Sequence, residues 1–295
     1  MTGDDEAAAA LGARSRIAEL GDVRLHYVEA GRGPLVVLLH GFPNFWYLWR
    51  RQMTPLVAAG FRVVAPDLRG YNASSKPRGA AAYRVDTLAG DVRAVIEALG
   101  SRDAVVVGHD WGGVVAWRLA QRYPELVRRL VVLNAPHPGA LARELRTPGQ
   151  LARSSYALFF QLPLVPELVL RALDFAALER VLRHEPVWRG AFDDEDLRRH
   201  KASWRVPGAL RAALGYYRAA GRRSPRKPLI ADRRVTCPTL LLWGDRDRFL
   251  RRELTEGLER WVPGIEVVRI AASGHWPMAD VPDLVNERLA SFAAG

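Results

Sequence analysis

The sequence predicts an α/β fold, with a mostly parallel central sheet flanked by helices and a helical insertion between its later strands. Three observations predict it. Short apolar runs alternate with longer stretches of helical periodicity, and strands that alternate with helices pair in parallel through right-handed crossovers. A glycine-framed turn, Gly108-His109-Asp110-Trp111-Gly112-Gly113, joins one apolar run directly to one helical run. From residue 135 to 228 that rhythm stops, and helical patterns broken by Pro163, Pro166, Pro186, Pro207 and Pro225 replace it.

Each element has its own signal. Residues 1–14 neither alternate nor show a buried face, so a frayed tail is expected there. Residues 23–28 alternate Val23, Leu25 and Tyr27 with Arg24 and His26, the mark of a strand with one face covered. After the Gly31-Arg32-Gly33-Pro34 turn, residues 35–39 are wholly apolar, as suits a strand buried on both faces. A helix is expected at 47–58, a strand at 62–66, a helix at 86–99 and a strand at 104–107 that feeds the glycine-framed turn. A helix at 113–122 and a strand at 130–133 complete the first half. The pattern resumes with a strand at 239–243, a helix at 252–261, a strand at 266–270 and a final helix at 282–292. The expected division is a core of 15–134 plus 229–295 and a helical cap of 135–228. The basic, proline-rich run 221–228 reads as a solvated hinge.

Composition narrows the function classes. The chain has 295 residues and a formal net charge of +11, which raises the question of nucleic acid. Only Lys76, Lys201 and Lys227 among its 43 basic residues are lysines. The arginines are scattered, and their Arg-Arg pairs, such as 50/51 and 251/252, fit solvated faces better than one binding groove. Cys237 is the only cysteine, so no intrachain disulfide can form, and a reducing cytoplasm is compatible. The acidic start, without a long apolar stretch, is not expected to act as a secretory signal, and no apolar run reaches membrane-spanning length. The expectation is a cytoplasmic protein, monomer or homodimer, with no nucleic-acid or membrane partner. The histidines show no ligand spacing with one another or with Cys237, so neither metal nor cofactor is expected.

The chemistry is carried by three signals in the order nucleophile, acid, histidine. Gly108-x-Asp110-x-Gly112 has the spacing of a nucleophile elbow with aspartate in place of the usual serine, and a carboxylate nucleophile attacks an electrophilic carbon to leave an enzyme ester. The acidic pair Asp245 and Asp247 follows the 239–243 strand, and His275 follows the last strand. Each lies at the carboxyl end of a parallel strand, where open α/β sheets place their sites. His40-Gly41-Phe42-Pro43 supplies a fourth part, because the backbone N–H groups of Phe42 and Trp111 can together form an oxyanion hole. His109 and His137 read as structural, and the 67–71 loop reads as scaffold.

His40-Gly41-Phe42-Pro43, Trp46-Tyr47-x-Trp49-Arg50, Asp67-Leu68-Arg69-Gly70-Tyr71, the Gly108–Gly113 turn and Ser273-Gly274-His275-Trp276 resemble the epoxide hydrolases of the α/β-hydrolase fold, over nearly the whole chain from 15 to 292. The resemblance implies an Asp-nucleophile enzyme that opens a small apolar epoxide with water. It favours Asp247 over Asp245 as the acid. It also assigns ring-opening tyrosines at Tyr156 and at Tyr217, with Tyr216 as the fallback. Haloalkane and haloacetate dehalogenases share the nucleophile and form the nearest alternative; a non-catalytic ligand-binding protein on this fold is the second. Fluoroacetate dehalogenases typically carry tryptophan where Tyr156 stands and arginine after the nucleophile. In haloalkane dehalogenases a Trp or Asn would be expected where Phe42 stands. The cap aromatics Phe159, Phe160, Trp188 and Trp204 imply either an apolar pocket or contacts that hold the cap together.

Overall fold

A computed structural model describes residues 3–222 and 234–295. The expected hinge and the 228/229 boundary therefore fall largely outside the described residues. A short helix, α1 (Gly3–Ala10), precedes the hairpin of β1 (Arg14–Leu20) and β2 (Val23–Ala30). Then come β3 (Leu35–Leu39), α2 (Arg50–Ala58), β4 (Arg62–Pro66), α3 (Val85–Ala98), β5 (Ala104–His109), α4 (Trp111–Arg122) and β6 (Val127–Leu133). The described residues between β6 and the next strand contain only helices: α5 (Pro138–Glu144), α6 (Pro148–Arg153), α7 (Tyr156–Phe159), α8 (Val165–His184), α9 (Asp194–Arg205) and α10 (Ala209–Gly221). β7 (Thr239–Gly244), β8 (Glu266–Ile270), α11 (Pro277–Asp280) and α12 (Pro282–Ala294) close the fold. The sheet order is β1-β2-β4-β3-β5-β6-β7-β8. β1 and β2, and β2 and β4, pair antiparallel, and every other pairing is parallel.

Alternation of side chains along each central strand builds two cores, because successive Cβ atoms point to opposite faces. Val36, Leu38, Val105, Val107, Val131 and Leu133 pack on the side of Met53, Leu56, Val285 and Leu289. Val37, Leu39, Val106, Leu130 and Val132 pack on the side of Val92, Ile96, Val115 and Trp117. Strands covered on both faces favour continuous apolar runs, as in Leu35–Leu39 of β3 and residues 104–107 of β5. Burying each such side chain stabilises the fold by roughly 1.5–3 kcal/mol.

Four expectations need correction. The N-terminal stretch expected to fray instead forms α1, with Ala7 and Ala8 buried. Asp4 accepts from the Trp46 indole N–H at 2.8 Å and from Asn72 Nδ2 at 2.9 Å. These tertiary contacts, rather than any amphipathic face, hold it. The β2 strand is covered on both faces near His26, because the 67–72 loop supplies Asp67, whose Oδ2 lies 2.7 Å from His26 Nδ1. The helix expected at 252–261 is two short 3-10 turns, Arg252–Thr255 and Leu258–Arg260, parted by Gly257 at φ 64°. Arg50 does not lie on a solvated face. It is buried against Asp196 of α9 and donates to Ala191 O, so its charge is paired where it leaves water.

Removing the Asp4 carboxylate strands the Trp46 indole N–H without its partner. Asp4→Ala should lower stability by about 1–2 kcal/mol, read as a drop in Tm by thermal unfolding; an unchanged Tm would mean that α1 docks without this contact.

Candidate active site

The site is built on the step from β5 to α4. Asp110 sits at φ 50°, ψ −122°, which a non-glycine residue rarely adopts, and this turn thrusts its carboxylate out above the sheet edge. The turn is possible only because the residues two positions to either side, Gly108 and Gly112, lack side chains. A Cβ on Gly108 would lie 2.5 Å from Gly112 O, and one on Gly112 would lie 2.2 Å from Leu39 O. Gly41 is equally constrained, since a Cβ there would meet Asp110 Oδ1 at 2.2 Å. The close approach lets the Phe42 N–H donate to Asp110 Oδ1 at 2.7 Å, and the Trp111 N–H also donates to the carboxylate. Burial raises the Asp110 pKa above the usual carboxylate value, although nearby His275 and these two N–H groups oppose it.

His275 approaches from the loop after β8, with Nε2 3.8 Å from Asp110 Oδ2 and Nδ1 2.7 Å from Asp247 Oδ2. Asp247 is buried, and its Oδ1 accepts from the backbone N–H groups of Phe249 and Leu250 at 2.7 and 3.0 Å. Asp245, the other acid weighed from sequence, turns outward to Arg269 at 2.8 and 3.0 Å. Burial disfavours the charged imidazolium of His275, yet the carboxylates of Asp247 and Asp110 outweigh that effect and hold its pKa above the ordinary imidazole value.

The inserted helices bring two phenols over this array. Tyr217 packs edge to face on Phe42 at 5.7 Å, on Trp111 at 5.1 Å and on Phe160 at 4.9 Å. Tyr156 lies 5.9 Å from it, ring to ring. Burial keeps both phenols protonated well above their usual range, and the Asp110 charge adds to the effect. Tyr216 and Tyr217 are adjacent on α10 and so point about 100° apart. Tyr216 turns into the core, where its hydroxyl donates to Arg69 O at 2.7 Å. Of the aromatics weighed for a pocket, Phe160 lines the site, whereas Trp204 pins the inserted helices to the core by donating to Pro43 O at 2.6 Å. Trp188 is half-exposed beneath the Arg51 guanidinium.

Sequence reasoning missed two residues. Asn134, directly after β6 and at φ 39°, donates from Nδ2 to Asp247 Oδ2 at 2.7 Å and accepts from Gly244 N at 2.9 Å. Its place at the carboxyl end of a central strand was the available signal. Phe249 packs edge to face on both His275 and Tyr156. His109, which the sequence marks as structural, is fully buried, and its Nε2 donates to His275 O at 2.8 Å. Burial and the nearby His275 charge hold it neutral.

A family model described as the alpha/beta hydrolase fold matches residues 34–282. The chain belongs to the α/β-hydrolase-fold family. Among relatives of this α/β hydrolase, the Bacillus subtilis AB hydrolase superfamily protein YfhM is 41% identical over 288 residues, spanning 95% of this chain and 98% of that one. Mouse Epoxide hydrolase 4 is 40% identical, over 92% of this chain and 76% of its own length. A crystal structure of Bacillus megaterium epoxide hydrolase with an inhibitor superposes with a TM-score of 0.89 at 34% identity, covering 95% of this hydrolase and all of that chain.

The paired carboxylates around His275 make a testable electrostatic statement. Its ring resonances should titrate above the ordinary value of about 6.5, and Asp247→Asn should bring that pKa down. A His275 pKa unmoved by Asp247→Asn would remove Asp247 as its partner.

Proposed function

We propose that this protein is an epoxide hydrolase that converts a small apolar epoxide and water to a vicinal diol through a covalent ester on Asp110. The observation that carries the proposal is the Asp110, His275 and Asp247 array lying beneath two protonated phenols. The names of the relatives support the same substrate class.

In the first step an Asp110 oxygen attacks one ring carbon. The carbon–oxygen bond breaks, and Tyr156 and Tyr217 hydrogen-bond the departing oxygen, one phenol supplying its proton. The product is a hydroxyalkyl ester. Phenols suit this task because they are donors that remain protonated at neutral pH, and burial here strengthens that state. In the second step neutral His275, oriented by Asp247, takes a proton from water, which attacks the ester carbonyl. The N–H groups of Phe42 and Trp111 hold the oxyanion. Collapse of that intermediate releases the diol and restores the Asp110 carboxylate, and the proton on His275 returns to the tyrosine that gave one up. Every group needed belongs to the chain or to water.

The two phenols are also what favours an epoxide over a carbon–halogen bond, since a halide leaving group needs no proton. We include in the proposal the 135–228 cap as the carrier of these tyrosines, and a cytoplasmic setting in which the lone Cys237 stays reduced.

Four measurements check the proposal. A single turnover in heavy-oxygen water should leave the label in the Asp110 carboxylate and none in the first-turnover diol; label in that diol would mean direct attack by water. Tyr217→Phe and Tyr156→Phe should each lower kcat for diol formation by about tenfold or more, and the double variant further. Halide release from a haloalkane at a rate matching diol formation would instead favour the dehalogenase reading. Finally, the neutral base requires His275 to lose its proton, and Asp247 raises its pKa, so the acid limb of kcat should shift to lower pH in Asp247→Asn.

A further inference from the structure

One region of the surface breaks the usual rule that large apolar side chains are scattered singly. Eight of the ten large apolar side chains that stand exposed among the described residues fall between Leu151 and Leu173. Leu164, Leu168 and Leu173 are 72%, 69% and 88% exposed, and Leu158 and Leu162 lie just before them. The chain folds so as to present them. Leu164 and Leu173 sit at φ 63° and 48°, bracketing the first, short half of α8, whose Val165, Leu168 and Val169 are exposed while Leu170 turns inward. Such a concentration of exposed apolar side chains, with Leu164 and Leu168 lining one concavity, points to a surface that meets another phase or partner.

The charges around the patch choose among occupants. Leu164 and Leu168 share a concavity of about 530 Å³ with Arg171 and Arg211. The one carboxylate lining it, Glu167, has both oxygens taken by Arg218, at 2.6 and 2.9 Å. Asp174, next to the exposed Leu173, is likewise held by Lys201 and Arg205. No ion pair engages Arg171 or Arg211 among the described residues, and the chain as a whole carries +11. A second copy meeting this face by symmetry would oppose arginine to arginine, which disfavours a homodimer here. An anionic lipid surface meets both needs at once, since leucines can enter the acyl boundary while arginines pair with headgroups.

We propose that the face formed by residues 158–173 and Arg211 docks the protein on anionic bilayers. The expectation of no membrane partner rested on the lack of an apolar run long enough to span, and interfacial docking needs none. The patch adjoins α7, which carries Tyr156, so apolar epoxides dissolved in lipid would be delivered near the site. That use rests on the proposed activity, whereas docking itself does not.

Vesicle flotation of the full chain tests docking without reading turnover. The protein should float with phosphatidylcholine vesicles containing about one third phosphatidylglycerol, much less with phosphatidylcholine alone, and less again at high salt. Leu164→Asn with Leu168→Ser and Leu173→Asn should weaken binding at least about tenfold, the asparagines being chosen because they tolerate positive φ. Arg171→Glu with Arg211→Glu should do the same, and both variants should keep the wild-type Tm. Equal flotation on both vesicle types, undiminished binding by either variant, or a solution dimer that the leucine variant dissociates in a protein that ignores vesicles would each overturn the proposal.

Discussion

The structure depends on one strained backbone position. Asp110 at φ 50° costs on the order of 1–3 kcal/mol, and it persists because both elements that meet there are fixed by burial. β5 is buried along its whole length between β3 and β6, and α4 buries Val115, Trp117 and Leu119 against the same sheet. With both ends held, the turn has no room to relax. Glycines at 108, 112 and 41 follow as geometric necessities, because each approaches backbone or the Asp110 carboxylate too closely for a Cβ.

That placement fixes the electrostatics. A carboxylate lifted above the sheet edge is partly desolvated, which would favour its protonated form, and two backbone N–H groups together with His275 counter this. Asp247 in turn lies under His275, held by Phe249 N–H, Leu250 N–H and Asn134. The strain at Asn134, φ 39°, therefore belongs to the same design: it lets one side chain bond both the acid and the Gly244 backbone. The inserted helices complete the enclosure with Tyr156, Phe160 and Tyr217, and they are tied down by the buried Arg50 and Asp196 pair and by Trp204.

Local features of the sequence carried the central strands and the glycine-framed turn, and they singled out Asp110, an acid after β7 and His275, which the fold brings together. β3, β5 and β7 are legible because burial on both faces makes their central positions apolar. What was illegible depends on partners distant in sequence. α1 has no apolar stripe of its own and is held by Trp46 and Asn72. The 252–261 stretch has buried Leu254, Leu258 and Trp261 at helical spacing, yet Gly257 at positive φ splits it into two turns. Arg50 could not be read as buried because its carboxylate lies on α9. Tyr216 and Tyr217 likewise part only through the orientation of α10, which sets the Tyr216 hydroxyl on Arg69 O and the Tyr217 ring against Phe42 and Phe160.

The central claim is that the Asp110 carboxylate becomes the ester. His275→Gln removes the base that would release that ester while leaving the nucleophile and both phenols in place. Incubating this variant with styrene oxide and mapping its peptides by mass spectrometry tests the claim most directly. The account predicts a hydroxyalkyl adduct on the peptide carrying Asp110, absent when Asp110 is also changed to Asn. A folded His275→Gln protein that consumes the epoxide yet never carries an adduct at Asp110 would contradict it.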